Sequence, residues 1–114
     1  MTVTPFLADA IALTDLDEWG PLAEATGDAM FTSGRTLWAG EDGAEAGVWE
    51  CTAGPSDWVL EQNEFVHVLS GSMTVIPEGG EAFEAGPGST FVTPLGWKGT
   101  WIIHETLRKL YVLY

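Results

Sequence analysis

From Arg35 onward, short runs rich in β-branched and aromatic residues alternate with segments rich in glycine and proline. No helical period of apolar residues separates the runs, and this even spacing is typical of an all-β sandwich or barrel. The sequence therefore predicts an all-β domain over residues 35–114, preceded by an N-terminal arm over residues 1–34. The runs are RTLWA, AGVWECT, WVL, EFVHVLS, SMTVIP, EAFEA, STFVTP, GTWIIH and LRKLYVLY.

Glycine and proline also predict where the chain turns. Gly71, between EFVHVLS and SMTVIP, is expected to form one hairpin turn, and Gly79-Gly80 the next. In the arm, the segment TDLDEW indicates one helical turn, capped by Thr14 and ended at Gly20-Pro21.

Strand alternation predicts which side chains share a face, because successive residues point to opposite sides of a sheet. In the run that begins at Glu64, one face carries Glu64, Val66 and Val68, and the other carries Phe65, His67 and Leu69. In the last run, one face carries Lys109, Tyr111 and Leu113, and the other carries Leu110, Val112 and Tyr114.

Composition and charge narrow the class of partner. The chain of 114 residues has 46% apolar residues and six tryptophans, enough for one domain with a core. Its formal net charge is −13, and 16 of its 17 acidic residues precede residue 85. A negative surface repels phosphate backbones and anionic lipids, so we expect no nucleic-acid or membrane partner.

The remaining features favour a cytoplasmic protein. Cys51 is the single cysteine, so no internal disulfide is possible, and we expect a buried, inert thiol. The N-terminal segment MTVTPFLADAIAL carries Asp9 within its apolar part and has no basic residue before it, which argues against a secretory signal.

Two spacings resemble those of a known family. Glu64 and Gly71 are separated by six residues, and Gly88, Pro94 and Gly96 follow in the pattern Gly-x5-Pro-x-Gly. Both spacings are similar to the conserved motifs of the cupins. The surrounding text, VWECTAGPSDWVLEQNEFVHVLSG and PLGWKGTWIIHETLRKLYVLY, is similar to small cupins related to (S)-ureidoglycine aminohydrolase. The resemblance implies a jelly-roll β-barrel.

The resemblance also implies the position of a metal site, but this chain has other residues where the metal-dependent cupins have histidine ligands. In metal-dependent cupins the equivalent of Glu64 binds a divalent metal together with three histidines. The corresponding positions are Trp58 and Leu60, or Leu60 and Gln62, with Gly99 after the second motif. One carboxylate without nitrogen partners is a poor transition-metal site. We therefore expect no metal cofactor.

Without a metal, an inward-pointing Glu64 needs another positive partner, because an unpaired buried carboxylate is unfavourable. Arg108 has the wrong parity and Lys98 lies in a turn, so Lys109 is the preferred partner, with Tyr111 beside it. The alternatives are that Glu64 is a relic or surface residue and that Lys109 is an ordinary surface lysine.

The other candidates are aromatic or polar. Packing is the first role expected of Trp58, Trp97 and Trp101, and a stacking platform for a planar ligand is the alternative. Gln62 is the remaining ligand-binding candidate. His67 and His104 are expected to be structural, because no nucleophile or acid accompanies either one, and no catalytic residue can be assigned.

Three functions remain open on this basis. The first is a metal-free cupin that binds a small molecule in its barrel, and we favour it. The second is an enzyme similar to the ureidoglycine aminohydrolases, and the third is a structural or assembly protein with a filled barrel. A homodimer is expected in each case, with arm residues Phe6, Leu7, Ile11 and Leu13 available to cover a partner's sheet.

Overall fold

The computed structural model describes residues 3–114, which form eight antiparallel strands. The predicted all-β fold is confirmed, and the described residues contain no helix. The strands are β1 (Asp17–Pro21), β2 (Phe31–Ala39), β3 (Glu45–Cys51), β4 (Gly54–Val59), β5 (Glu64–Pro77), β6 (Phe83–Ala85), β7 (Thr90–Thr93) and β8 (Lys98–Leu113).

Two long strands organise the barrel. β5 and β8 pair along almost their whole length, from Glu64 opposite Leu113 to Pro77 opposite Gly99. The later half of β8 also pairs with β3, and its earlier half with β4. β7 and β6 likewise pair with the early and later halves of β5. Each long strand therefore runs through both halves of a jelly-roll barrel.

Gly71 does not form the predicted hairpin turn. β5 continues through it, with a positive φ of 82° and a shift in register against β8. A Cβ atom at this position would clash with the backbone carbonyl of Thr106, so only glycine allows β8 to approach. The local signal for a turn thus marks a bulge where the strand bends. The turn at Gly79-Gly80 is confirmed, with the Gly80 amide donating to the Pro77 carbonyl.

The helical turn predicted for TDLDEW is wrong. Its last three residues belong to β1, which pairs with β2, because tertiary pairing outweighs a weak local capping signal. The ring of Trp19 lies directly against Gly34, where a side chain would collide with it. β1 and the start of β2 fall within the predicted arm of residues 1–34, whose first two residues lie outside the described part.

An earlier part of the arm is held by Arg108 of β8. The Arg108 guanidinium donates to the backbone carbonyls of Ala10 and Ile11 at 3.1 and 3.0 Å, and its Nε donates to Glu50 at 3.2 Å. Phe6 and Ile11 remain exposed.

The core lies between the two halves of the barrel and follows the predicted alternation. On β5, Glu64, Val66 and Val68 are buried, whereas the intervening residues are only partly buried. Lys109 and Tyr111 are likewise buried on β8. No helix in the described range 3–114 is suited to crossing a membrane. The apolar core residues are Met30, Cys51, Val66, Val68, Met73, Val75, Ala85, Trp101, Ile103 and Leu107.

Candidate ligand-binding cavity

A buried ion pair joins the two long strands inside the barrel. The Lys109 ammonium donates to Glu64 Oε2 at 2.6 Å, and the side chains of the two residues are only 4% and 7% exposed. Glu64 lies opposite Leu113 and Lys109 opposite Val68, so both side chains lean along the barrel interior to meet. The predicted contact between Glu64 and Lys109 is confirmed.

Two indole rings flank the same ammonium group. Lys109 Nζ lies 4.3 Å from the ring centroid of Trp49 and 4.4 Å from that of Trp101. Trp49 is the cross-strand partner of Lys109, which brings its ring to the same face of the sheet. Cation–π contacts of this kind help to hold a charge that is largely shielded from water.

Tyr111 occupies the same interior face, as predicted. Its ring lies against Gly47, where a Cβ atom would approach the phenol oxygen to 2.9 Å. The hydroxyl donates to Glu45 Oε2. Burial, followed by the hydrogen bond and the charge of Glu45, raises the pKa of Tyr111 well above its ordinary value. The phenol is therefore a neutral donor in the folded protein.

These groups line a cavity of about 460 Å³ that opens to solvent. Glu64, Lys109 and Tyr111 form its buried end, and exposed residues such as Val59 and Glu61 lie at its mouth. The volume falls within the range of sites for small molecules. The complete lining consists of Trp19, Glu24, Glu45, Trp49, Trp58, Val59, Leu60, Glu61, Gln62, Glu64, Lys109, Tyr111 and Leu113.

Five of the seven predicted site residues line this cavity: Glu64, Lys109, Tyr111, Trp58 and Gln62. Trp97 and Trp101 do not. Trp101 is fully buried beneath the cavity, and Trp97 packs against the core from one side. Their size favours packing, which was the first role expected of them.

Five aromatic and acidic residues of the cavity were missed from the sequence: Trp19, Glu24, Glu45, Trp49 and Glu61. The signal for Glu45 and Trp49 was present, because both share the parity of buried Cys51 in β3. For Trp19 and Glu24 there was no such signal, since they reach the cavity through the tertiary position of the first strand and the loop that follows it.

The donor set does not fit the metal that many cupins hold. Glu64 is engaged by Lys109, and the histidine positions of the metal-dependent cupins carry Trp58, Leu60 or Gln62, and Gly99. The Trp58 indole donates to Ser56, and the Gln62 amide donates to the Gly43 carbonyl. Within residues 3–114, no three His, Cys, Asp or Glu side chains are grouped to hold a metal ion.

The histidines and the cysteine lie away from the cavity lining. His67 bonds to Thr90 Oγ1 at 2.9 Å on the face of β5 opposite Glu64, as the alternation predicts. His104 bonds to Thr74 Oγ1 at 2.7 Å. Cys51 is buried, and burial raises the pKa of its thiol to about 11 despite the opposing effect of Lys109.

The fold and the interior cavity define this protein as a cupin. Residues 39–111 match the family described as the EutQ-like cupin domain, and the chain belongs to that family. No curated protein matches the sequence.

Solved structures share the fold of this chain. A DUF861-family protein of unknown function from Pseudomonas syringae has a TM-score of 0.82 at 19% identity, with 93% of this chain and 46% of that chain covered. This chain thus spans less than half the length of that relative. A putative ethanolamine utilization protein Q from Salmonella typhimurium gives 0.67 at 26% identity, with 83% and 76% covered. A DUF861-family protein from Thermotoga maritima gives 0.56 at 30%, with 59% and 76% covered.

Proposed function

We propose that this cupin binds a small organic molecule in the cavity above the Glu64–Lys109 pair, without a bound metal. The observation that carries the proposal is a cavity of about 460 Å³ with a buried, mutually neutralised ion pair at its inner end. A concave site with apolar walls and a few fixed polar groups is the usual form of a small-molecule site.

The state of the polar groups favours binding over hydrolysis. Glu64 is paired with Lys109, and the Tyr111 hydroxyl keeps its proton and donates a hydrogen bond to Glu45, so neither Glu64 nor Tyr111 is free to act as a general base. An activity similar to that of the ureidoglycine aminohydrolases depends on a metal in the related enzymes, and the donor set described above does not suit one.

The size of the cavity also favours binding over a filled structural barrel. Trp101 and Trp97 pack at the core, and Trp19, Trp49 and Trp58 stand along the walls. These rings leave the space between them open. A barrel stabilised only by its own side chains would be expected to close such a space, because protein interiors pack to high density.

A ligand screen with a blocked variant tests the proposal. Wild-type protein is titrated with pools of small metabolites, and the tryptophan indole N–H resonances are followed by NMR. The test variant is Leu113→Trp, which places an indole in the cavity. The control is Val112→Trp, since the adjacent side chain points out of the barrel.

We expect at least one pool to shift the resonances of wild type and of Val112→Trp but not those of Leu113→Trp. If every pool leaves the wild-type spectrum unchanged, or if Leu113→Trp binds as wild type does, the proposed function is wrong.

A further inference from the structure

The cavity carries an excess of negative charge. Its lining includes four carboxylates but a single basic side chain, Lys109. Glu64 lies at the buried end, Glu24 and Glu45 are half-buried, and Glu61 is exposed near the mouth. With Lys109 balanced by Glu64, three carboxylates remain without a cation among the lining residues.

The three other basic residues of the chain are engaged elsewhere. Arg35 pairs with Asp15 at 3.2 Å, Lys98 with Glu78 at 3.4 Å, and Arg108 with Glu50 at 3.2 Å. The sequence holds four lysines and arginines in total, so no further side chain of this chain can neutralise the cavity.

The pair at the buried end still offers an acceptor. Lys109 bonds to Glu64 Oε2, and no described residue bonds to Oε1 of this side chain, which is more than nine-tenths buried and lines the cavity. Among the described residues, Tyr111 alone donates a hydrogen bond to the Glu45 side chain, and it does so at Oε2. A ligand with N–H donors would find these oxygens facing it, whereas an anionic ligand would find Lys109 already neutralised.

The walls are also suited to positive charge. Trp19, Trp49 and Trp58 present indole rings to the cavity, and tryptophan is the strongest cation–π partner among the aromatic residues. The protein already uses this wall for a cation of its own, because the Lys109 ammonium lies over the Trp49 ring. Two further indole rings, those of Trp19 and Trp58, line the same cavity together with its carboxylates.

We propose that the ligand is an organic cation: a small molecule that carries an ammonium group and places it between the indole walls and the free carboxylates. This inference rests on the proposed binding function and adds the chemical class of the ligand. Neutral and anionic molecules of the same shape lack the positive charge that would balance the carboxylates of the cavity.

A charge series of equal shape tests the inference. Tert-butylammonium, tert-butanol and pivalate are titrated separately into the wild-type protein at pH 7 and constant sodium concentration. The Trp19, Trp49 and Trp58 indole resonances report binding at the cavity. Constant salt matters because a protein of charge −13 attracts any cation weakly over its surface.

Three variants separate the cavity from that general attraction. Glu45→Gln and Glu61→Gln each remove one cavity charge. Glu81→Gln removes one exposed charge that does not line the cavity, and it serves as the matched control. Leu113→Trp blocks the cavity, as in the screen above.

We expect tert-butylammonium to bind roughly tenfold or more tightly than tert-butanol, which corresponds to about one cation–π contact with partial desolvation. Glu45→Gln or Glu61→Gln should weaken the cation at least about threefold more than Glu81→Gln does.

Equal or tighter binding of tert-butanol or pivalate in the cavity would overturn the cation inference and leave the binding function intact. Absence of any tert-butylammonium shift, or an equal shift in Leu113→Trp, would overturn it as well. The metabolite screen decides the binding function separately.

Discussion

Removing Lys109 from the buried Glu64–Lys109 pair should destabilise the protein more than removing both charged partners. Lys109→Met keeps most of the length of the side chain but leaves the Glu64 carboxylate buried without the one ion-pair partner that it has among the described residues. Breaking a buried pair from one side typically costs about 3–5 kcal/mol. Sulfur–aromatic contacts of the new methionine with Trp49 and Trp101 replace part of the lost cation–π attraction, so the unpaired charge dominates.

Removing the carboxylate instead of the ammonium group should destabilise the protein less. Glu64→Gln leaves the ammonium buried, but the two indole rings still flank it and the glutamine carbonyl can accept one hydrogen bond. We expect a loss of about 1–2 kcal/mol, which is smaller than the coupling expected between the two residues. In Glu64→Gln/Lys109→Met no buried charge remains, so the double variant should be more stable than Lys109→Met alone, with a coupling of about 2–3 kcal/mol.

Wild type, the two single variants and the double variant form a double-mutant cycle, and urea denaturation at pH 7 gives the free energy of unfolding of each. Unchanged m-values would confirm that all four proteins unfold in the same way. Lys98→Met is the matched control, because Lys98 and Glu78 are paired in solvent and such pairs contribute about 1 kcal/mol or less. A double-variant cost equal to the sum of the two single costs would refute the argument.

Four further predictions follow from the same structure. The Cys51 thiol, whose pKa burial raises to about 11, should resist a disulfide reagent at pH 8 in the folded protein and react at once in urea. Burial and Glu45 raise the pKa of Tyr111 above its ordinary 10.0, so the contribution of the neutral phenol to stability should be complete below pH 10 and fall at higher pH. When the free energy of unfolding is measured as a function of pH, Tyr111→Phe should lack this loss of stability at alkaline pH. Elemental analysis should find well under one equivalent of iron, nickel, manganese or zinc, and a full equivalent would show that the donor set has been misjudged. Light scattering should give a dimer mass at micromolar concentration, and a monomer mass would exclude the predicted arm-mediated homodimer.

Much of the barrel could be predicted because its signals are local. Alternation along the two long strands predicted that Lys109 and Tyr111 share one face and that Glu64 shares another with Val66 and Val68, and the resemblance to cupins implied that Glu64 points into the barrel. The count of four basic residues then left few partners for the carboxylate. Charge balance and strand parity are both readable from the chain, so this contact was within reach of the sequence.

The predictions were wrong where contacts with residues distant in the sequence outweighed a local sequence signal. Gly71 looks like a turn residue, and only the approach of Thr106 from β8 makes it a bulge inside a continuous strand. TDLDEW has a capping residue, but pairing with β2 converts its end into β1. Trp19 and Glu24 reach the cavity from outside the predicted barrel for the same reason.

The most direct test of the binding site is an electron-density map of crystals soaked with tert-butylammonium, compared with crystals soaked with tert-butanol. The account predicts density for the cation inside the cavity, beside Glu45 and within reach of the indole rings of Trp49 and Trp58, and no ordered tert-butanol there at equal concentration. A cavity closed by its own side chains, or one that holds only water in the cation-soaked crystals, would contradict it.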